Sequence, residues 1–226
     1  MTTSTVGPGA AHVERQRYAR GEGDRLRSDL LDAATELMAQ HGTIDGISLR
    51  AVARRAGVSP TAVYRHFDDH LDLLRESVAR SWKHFYDVMR AAADGTDDPF
   101  DAFDAAGQAY IGFATDHQGE YRVLFSNRIH LDSTDIGLPR PAAHSEGMDD
   151  AGVAAFQVLV GLVSAVLDRN GDDRDPFFVA AQVHTWIHGM VDLMGCHPDA
   201  EWPAIEPLLH GLTTALDLDP AETRRR

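Results

Sequence analysis

The chain has 226 residues, 43% of them hydrophobic and 25% charged, with a formal net charge of −14. That is enough for one large or two small domains with a buried core, and no apolar run is expected to reach the length of a membrane span. A single cysteine, Cys196, excludes an internal disulfide and suits a reducing, cytoplasmic setting. The acidic total argues against a generally basic nucleic-acid binder, but the charge is unevenly spread. Through His70 there are nine Lys/Arg and nine Asp/Glu; from Leu71 onward there are twelve against twenty-six. The pattern is a neutral head on an acidic body, and phosphate binding needs local positive charge, not a basic whole.

Residues 1–23 are rich in Thr, Ser, Gly and Ala, lack an apolar period and lack the features of a secretory signal, so they read as a flexible arm. Arg15, Arg17 and Arg20 sit on it; a solvated tail and an arm along the DNA backbone or minor groove are both open readings. A first helix is predicted over about 24–41, with Leu26, Leu30, Ala33, Ala34 and Leu37 inward, Arg25 and Arg27 near its start as possible phosphate contacts, and Gly42 as its stop. Ser48 then caps a second helix whose Leu49, Val52, Ala53 and Ala56 share one face, with Arg50, Arg54 and Arg55 off it. Gly57 ends that helix, because only Gly enters the left-handed region without steric cost. Ser59 caps a third helix with Pro60 at its first position, where a missing N–H costs nothing. Val63 and Phe67 hold this seven- or eight-residue helix down and leave Pro60, Thr61, Tyr64, Arg65 and His66 outside. Helix, Gly turn and capped short helix make the helix-turn-helix pattern. An ordinary buried hairpin would not gather Arg, Tyr and His on one outer face.

A long fourth helix is predicted to about residue 93, with the stripe Leu71, Leu74, Val78, Trp82, Phe85 and Met89, and it would link head to body as a lever. Helix 5 carries Phe100, Phe103, Gly107, Tyr110 and His117; helix 6, opened by Gly119, carries Tyr121, Leu124 and Phe125. Residues 131–148 have no period and read as a long loop, mobile or a lid. Helix 7, about 149–170, is apolar on most sides and is expected at the buried centre. Helix 8, about 176–195, carries Phe177, Ala180, His184, Ile187, Val191 and Met194; helix 9, about 201–216, carries Trp202, Ile205, Leu209, Leu212 and Leu216. The fold class is all-α, about nine helices: arm 1–23, helix-turn-helix head 24–70, helical ligand-binding and dimerisation body 71–220, tail 221–226.

The run GVSPTAVYRHFDDHLDLL resembles the DNA-binding signature of the tetracycline-repressor (TetR) family of bacterial transcription regulators. The resemblance is specific over about residues 25–74 and weak beyond; HTWIHGMVDLM, from His184 to Met194, resembles a Trp-x-His-Gly helix of one subgroup of that family. It implies base-edge roles for Arg50, Pro60, Thr61 and Arg65, with the arginines suited to guanine and Pro60 or Thr61 to a thymine methyl. It implies phosphate contacts for Ser48, Tyr64 and His66, to which Ser59 adds a hydroxyl. His70 stands where the family usually has Lys, which puts the strength of the phosphate clamp in doubt, and Ala62 stands where some members have a hydroxyl. The resemblance also implies a ligand-responsive repressor on a palindromic operator, dimerising through helices 8 and 9 (about 176–195 and 201–216).

A small, largely apolar or aromatic effector would sit among Trp82, Phe85, Met89, Phe103, Tyr110, Phe113, Tyr121, Phe125, His184 and His188, although aromatics at helical spacing are often plain core. His184 and His188 lie four apart, as zinc ligands can, but no Glu follows the first, so no metal is expected. The rival reading is an all-helical small-molecule binder or enzyme without a DNA role; a head that binds a protein is a third. No GxSxG, phosphate loop, Cys/His zinc set or paired ExxH is present, so neither an enzyme nor a cofactor is expected.

Overall fold

The computed structural model describes residues 23–125 and 148–220; the arm with Arg15, Arg17 and Arg20, nearly all of the 131–148 loop and the 221–226 tail lie outside them. Among the described residues there are nine helices and no strand. The head comprises α1 (Gly23–His41), α2 (Leu49–Arg55) and α3 (Pro60–Val63); α4 (His70–Ala93) runs on from it. The body adds α5 (Pro99–Asp116), α6 (Gln118–Phe125), α7 (Met148–Asn170), α8 (Pro176–Cys196) and α9 (Ile205–Ala215).

The helix boundaries follow local chemistry. Asp69, Asp98 and Asp175 cap α4, α5 and α8, each accepting backbone N–H bonds through its carboxylate. At the end of α2, Gly57 (φ +71°) lets the Val58 N–H reach Ala53 O at 2.9 Å, while the Gly57 N–H bonds Arg54 O. This double closure satisfies two carbonyls and folds the chain sharply toward α3. The α-helical part of α3 is four residues, shorter than expected; bonds from Arg65 to Ala62 O and from His66 to Val63 O carry the coil on to Phe67.

One hydrophobic core runs through head and body, from Leu30, Val52 and Phe67 through Leu73, Phe85 and Ile111 to Val163 and Val183. α4 packs on α1, α5, α6 and α7, which makes α4 and α5 the centre of the bundle. Leu73, Leu74, Ser77, Val78, Ser81, Phe85 and Met89 are its buried side, whereas Leu71 is 42% exposed. The small Ser77, whose hydroxyl donates to Leu73 O (2.8 Å), gives α4 a polar residue on its inner face without a lost hydrogen bond.

Three expectations are corrected. First, α7 is not the buried centre: Ala155, Val163, Val166 and Leu167 are buried, but Ala154, Gly161 and Asp168 face outward. Second, residues 152–170 of α7 are long and apolar enough to cross a membrane, with mean hydropathy 1.5, contrary to the expectation that no run would be; α7 packs on α4, α5 and α8 as one member of the bundle. Third, α9 begins at Ile205, so Trp202 belongs to the connection, where its indole N–H donates to His197 O at 3.0 Å.

Head and body also meet directly. α6 lies on α1, and a Cβ at Gly119 would come within 1.7 Å of the Ala39 carbonyl oxygen, so only glycine allows this approach. Behind it the buried carboxylate of Glu120 accepts from His84 Nδ1 of α4 (3.2 Å).

Candidate functional site: a helix-turn-helix face and an aromatic chamber

On the head, α2 and α3 present one polar face. Ser48 accepts the Ala51 N–H through Oγ (3.2 Å) and is exposed, so its hydroxyl hydrogen remains to be donated outward. Ser59 occupies the cap of α3 without a side-chain capping bond, which leaves its whole hydroxyl uncommitted. Pro60, Thr61, Tyr64 (61% exposed) and Arg65 stand outside; His66 is half-buried. Arg50 and Arg65 make no ion pair among the described residues, and neither does Arg54, one turn beyond Arg50. The sequence placed Arg54 off the apolar face, but only the pairing pattern distinguishes it from its neighbour: Arg55 is bound to Glu36 (2.5 Å).

Two expected phosphate contacts change. Arg27 is paired with Glu76 and lies over the Phe67 ring, 5.0 Å from its centroid, so it braces α3 against α4. His70 opens α4 with Nε2 buried and unpartnered, so a phosphate contact from this ring falls to Nδ1. On the flank of the head a shallow groove of about 320 Å³ is lined by Asp29, Asp32 and Glu36 together with Arg25 and Arg55. Its carboxylates repel a polyanion, which leaves the α2–α3 face as the one chemically fit for phosphate.

In the body, eight of the ten expected lining residues join one network of ring contacts. Phe85 meets Trp82, Tyr110, Phe113 and Phe125 edge to face at 5.1–6.0 Å. Tyr121 and Phe125 lie tilted at 4.6 Å, and Phe125 reaches both His184 and His188. His184 and His188, one turn apart on α8, are stacked with an interplanar angle of 10°. Met89 and Phe103 are buried in the core, without a ring contact to the network. Phe156 of α7, not expected here, closes on His184 at 5.7 Å and on Phe177 at 5.5 Å; its helical spacing marked it as apolar but not as a neighbour of α8. Phe85, Tyr110, Phe113 and Tyr121 form a buried floor, and Trp82, Phe125, Phe156, His184 and His188 a half-buried rim.

The polar atoms of the chamber are arranged in series. Tyr110 and Tyr121 hydroxyls lie 3.2 Å apart, and the Tyr121 hydroxyl is 2.5 Å from His188 Nδ1. If Tyr110 donates to Tyr121 and Tyr121 to His188, every hydroxyl hydrogen is used; the reverse order strands the buried Tyr110 hydrogen. His188 therefore carries its proton on Nε2. Burial pushes both tyrosines up. It pushes His184 down to about 4, with the charge of His188 adding to the effect, and His188 down as well, against the pull of Asp192. Both imidazoles are therefore neutral near pH 7. Among the described residues no group of three or more His, Cys, Asp or Glu is set to hold a metal.

Residues 30–76 match the bacterial regulatory proteins of the tetR family, and residues 103–195 match the tetracyclin repressor-like C-terminal domain. The chain belongs to the TetR family. A curated relative from Haemophilus influenzae, an uncharacterized HTH-type transcriptional regulator, is 31% identical over 101 residues, 45% of this chain and 49% of the relative. The HTH-type transcriptional activator FasR of Mycolicibacterium smegmatis is 31% identical over 104 residues, 46% of this chain and 47% of that protein. The chain thus spans about half the length of the curated relatives it matches. A solved structure from Rhodococcus sp. RHA1, of unknown function, shares the fold at a TM-score of 0.66 and 24% identity, over 85% of this chain and 92% of that one. This TetR chain therefore has the family's head and a recognisable C-terminal domain on the two regions just described.

Proposed function

We propose that the protein is a sequence-specific DNA-binding transcriptional regulator in which 24–70 reads the operator and 71–220 binds an effector and dimerises. The observation that carries this reading is the α2–α3 face, where Arg50 and Arg65 stand exposed and unpaired beside Tyr64 on a closed glycine turn. Arg50, Pro60, Thr61 and Arg65 read base edges; Ser48, Ser59, Tyr64, His66 and, through Nδ1, His70 hold phosphates. The regulator works in the cytoplasm, as a repressor, with no catalytic step. Selection of bound duplexes from a random pool at about physiological salt tests this; the expected product is a palindrome with half-sites about 10 base pairs apart. No enrichment by a folded dimer, alone or with metabolite extract, sinks the reading. A reporter that falls when the protein is removed assigns activation in place of repression.

The dimer is proposed to form through the outer face of α8, where Phe178, Trp186 and Leu193 are 61%, 36% and 52% exposed. Its companion is proposed to be α7 instead of the expected α9. Leu209 and Leu212 of α9 are buried, with Leu209 against Gly107 of α5, whereas α7 turns the small Ala154 and Gly161 outward, which suits close helix approach. Light scattering on Leu193→Asp checks it: the expected species is a monomer with little operator affinity, and an unchanged dimer refutes the interface.

The chamber is proposed to hold the effector. Tyr121 and Phe125 sit on α6, which bears on α1, and Trp82 and Phe85 sit on α4, so an occupant that spreads these rings shifts both supports of the head and the spacing of the two reading faces.

A further inference from the structure

Taking the chamber as the effector site, its chemistry narrows what it can accept. The floor and rim offer ring faces and edges from α4, α5, α6, α7 and α8, with the stacked His184–His188 pair as one flat wall. Flat walls of this kind favour a planar occupant. Most of the polar capacity is already spent: the Tyr110 and Tyr121 hydroxyls and His188 Nδ1 satisfy one another. What remains is small. His184 has no hydrogen-bond partner for either ring nitrogen among the described residues, and His188 keeps its Nε2–H. One donor–acceptor ring and one donor suit a ligand with one or two oxygens, not a sugar or a peptide.

Charge narrows the choice further. Among the described residues only Arg27 lies over an aromatic ring, and that ring is Phe67 of the head. No Lys or Arg reaches the chamber's rings, and Asp192 is the charged group acting on His188. A carboxylate here would be buried without a cation, unless it forced a proton onto an imidazole that burial keeps neutral. A cation fares better electrostatically, but the faces it needs are covered by neighbouring ring edges, above all at Phe85.

We infer that the chamber takes an uncharged, planar aromatic molecule bearing a hydroxyl or carbonyl oxygen, which hydrogen-bonds to His184. The probes are three compounds on one ring system: 2-naphthol, 2-naphthoate and 2-naphthyltrimethylammonium, titrated calorimetrically into the full-length protein near pH 7. The expected order has 2-naphthol tightest, the other two at least about tenfold weaker. His184→Phe, which keeps a flat ring and removes both nitrogens, is expected to weaken naphthol about tenfold, the worth of one net hydrogen bond. His184→Asn, which restores a donor and an acceptor, recovers part of it. Naphthoate or the ammonium binding tighter than naphthol overturns the ligand class while keeping the chamber; unchanged naphthol affinity in folded His184→Phe overturns the role of His184. No heat and no thermal shift from any of the three overturns the ligand class and, with it, the reading of the chamber as the effector site.

Discussion

On the outer side of α3, Thr61, Tyr64 and Arg65 are exposed and make no hydrogen bond or ion pair among the described residues; in the body, Tyr110 and Tyr121 are buried with their hydroxyls bound to each other and to His188. Both regions are proposed to bind something, yet they are built on opposite terms. The head leaves strong groups unspent and leans on the rest of the core for its shape, so its residues cost little when removed from the free protein. The chamber spends its groups on one another, so its residues are fold and site at once. The difference teaches where mutagenesis reports function cleanly and where it mostly reports stability.

The sharpest way to break that contrast is Phe85→Ala. Phe85 is 2% exposed and meets four other rings, so a loss of about 3–5 kcal/mol is expected in urea unfolding; a loss below about 1 kcal/mol would mean the chamber is a loose cleft and not part of the core. Arg65→Ala and Arg50→Ala are the counter-experiment. Each should cost about 1–3 kcal/mol of operator binding in a gel-shift titration, with the melting temperature unmoved; a matching fall in stability would erase the distinction.

Acidity probes the chamber from another side. His184 is depressed to about 4 from an unfolded value near 6.5, so the unfolded chain binds the extra proton between those limits. Stability is full above pH 6.5 and falls as pH drops toward 4, by roughly 2 kcal/mol at pH 5 from this group. Denaturant melts at pH 7 and pH 5 measure it, and His184→Phe should remove that part of the slope. The smallest effect is expected at Ser48→Ala, about 1 kcal/mol from the lost cap of α2, read by thermal melts, with operator affinity falling further because the same hydroxyl is proposed to face phosphate.

The head was legible because its signals are local. Ser48, Gly57, Ser59 and Pro60 act within one turn of themselves, and the structure uses each where the sequence put it. The body was legible as a set of helices but less so as a set of faces. Periodicity marks which residues are apolar; it does not say which apolar face finds a neighbour within the chain. Hence α7, apolar nearly all round, is open on one side, and the inward stripe of α4 includes Leu73, which the spacing passed over, and excludes Leu71, which it chose. Arg27 shows the same limit for charge: near a helix start it suggested phosphate, but Glu76 and Phe67, forty to fifty residues away, claim it. Eight chamber residues were found from aromatic spacing alone, while Phe156 and the Tyr110–Tyr121–His188 series needed the packing of α5, α6, α7 and α8 to be seen.

The contact of α6 on α1 has a consequence in the genetic code. Any single-base change in a glycine codon that alters the residue adds a side chain, and at Gly119 the first carbon of any side chain would collide with the backbone of Ala39. That backbone has no rotamer with which to step aside. In a saturation library selected for a working regulator, position 119 should therefore come back as a nearly blank column, although it lies far along the chain from the reading face and is no part of the chamber wall.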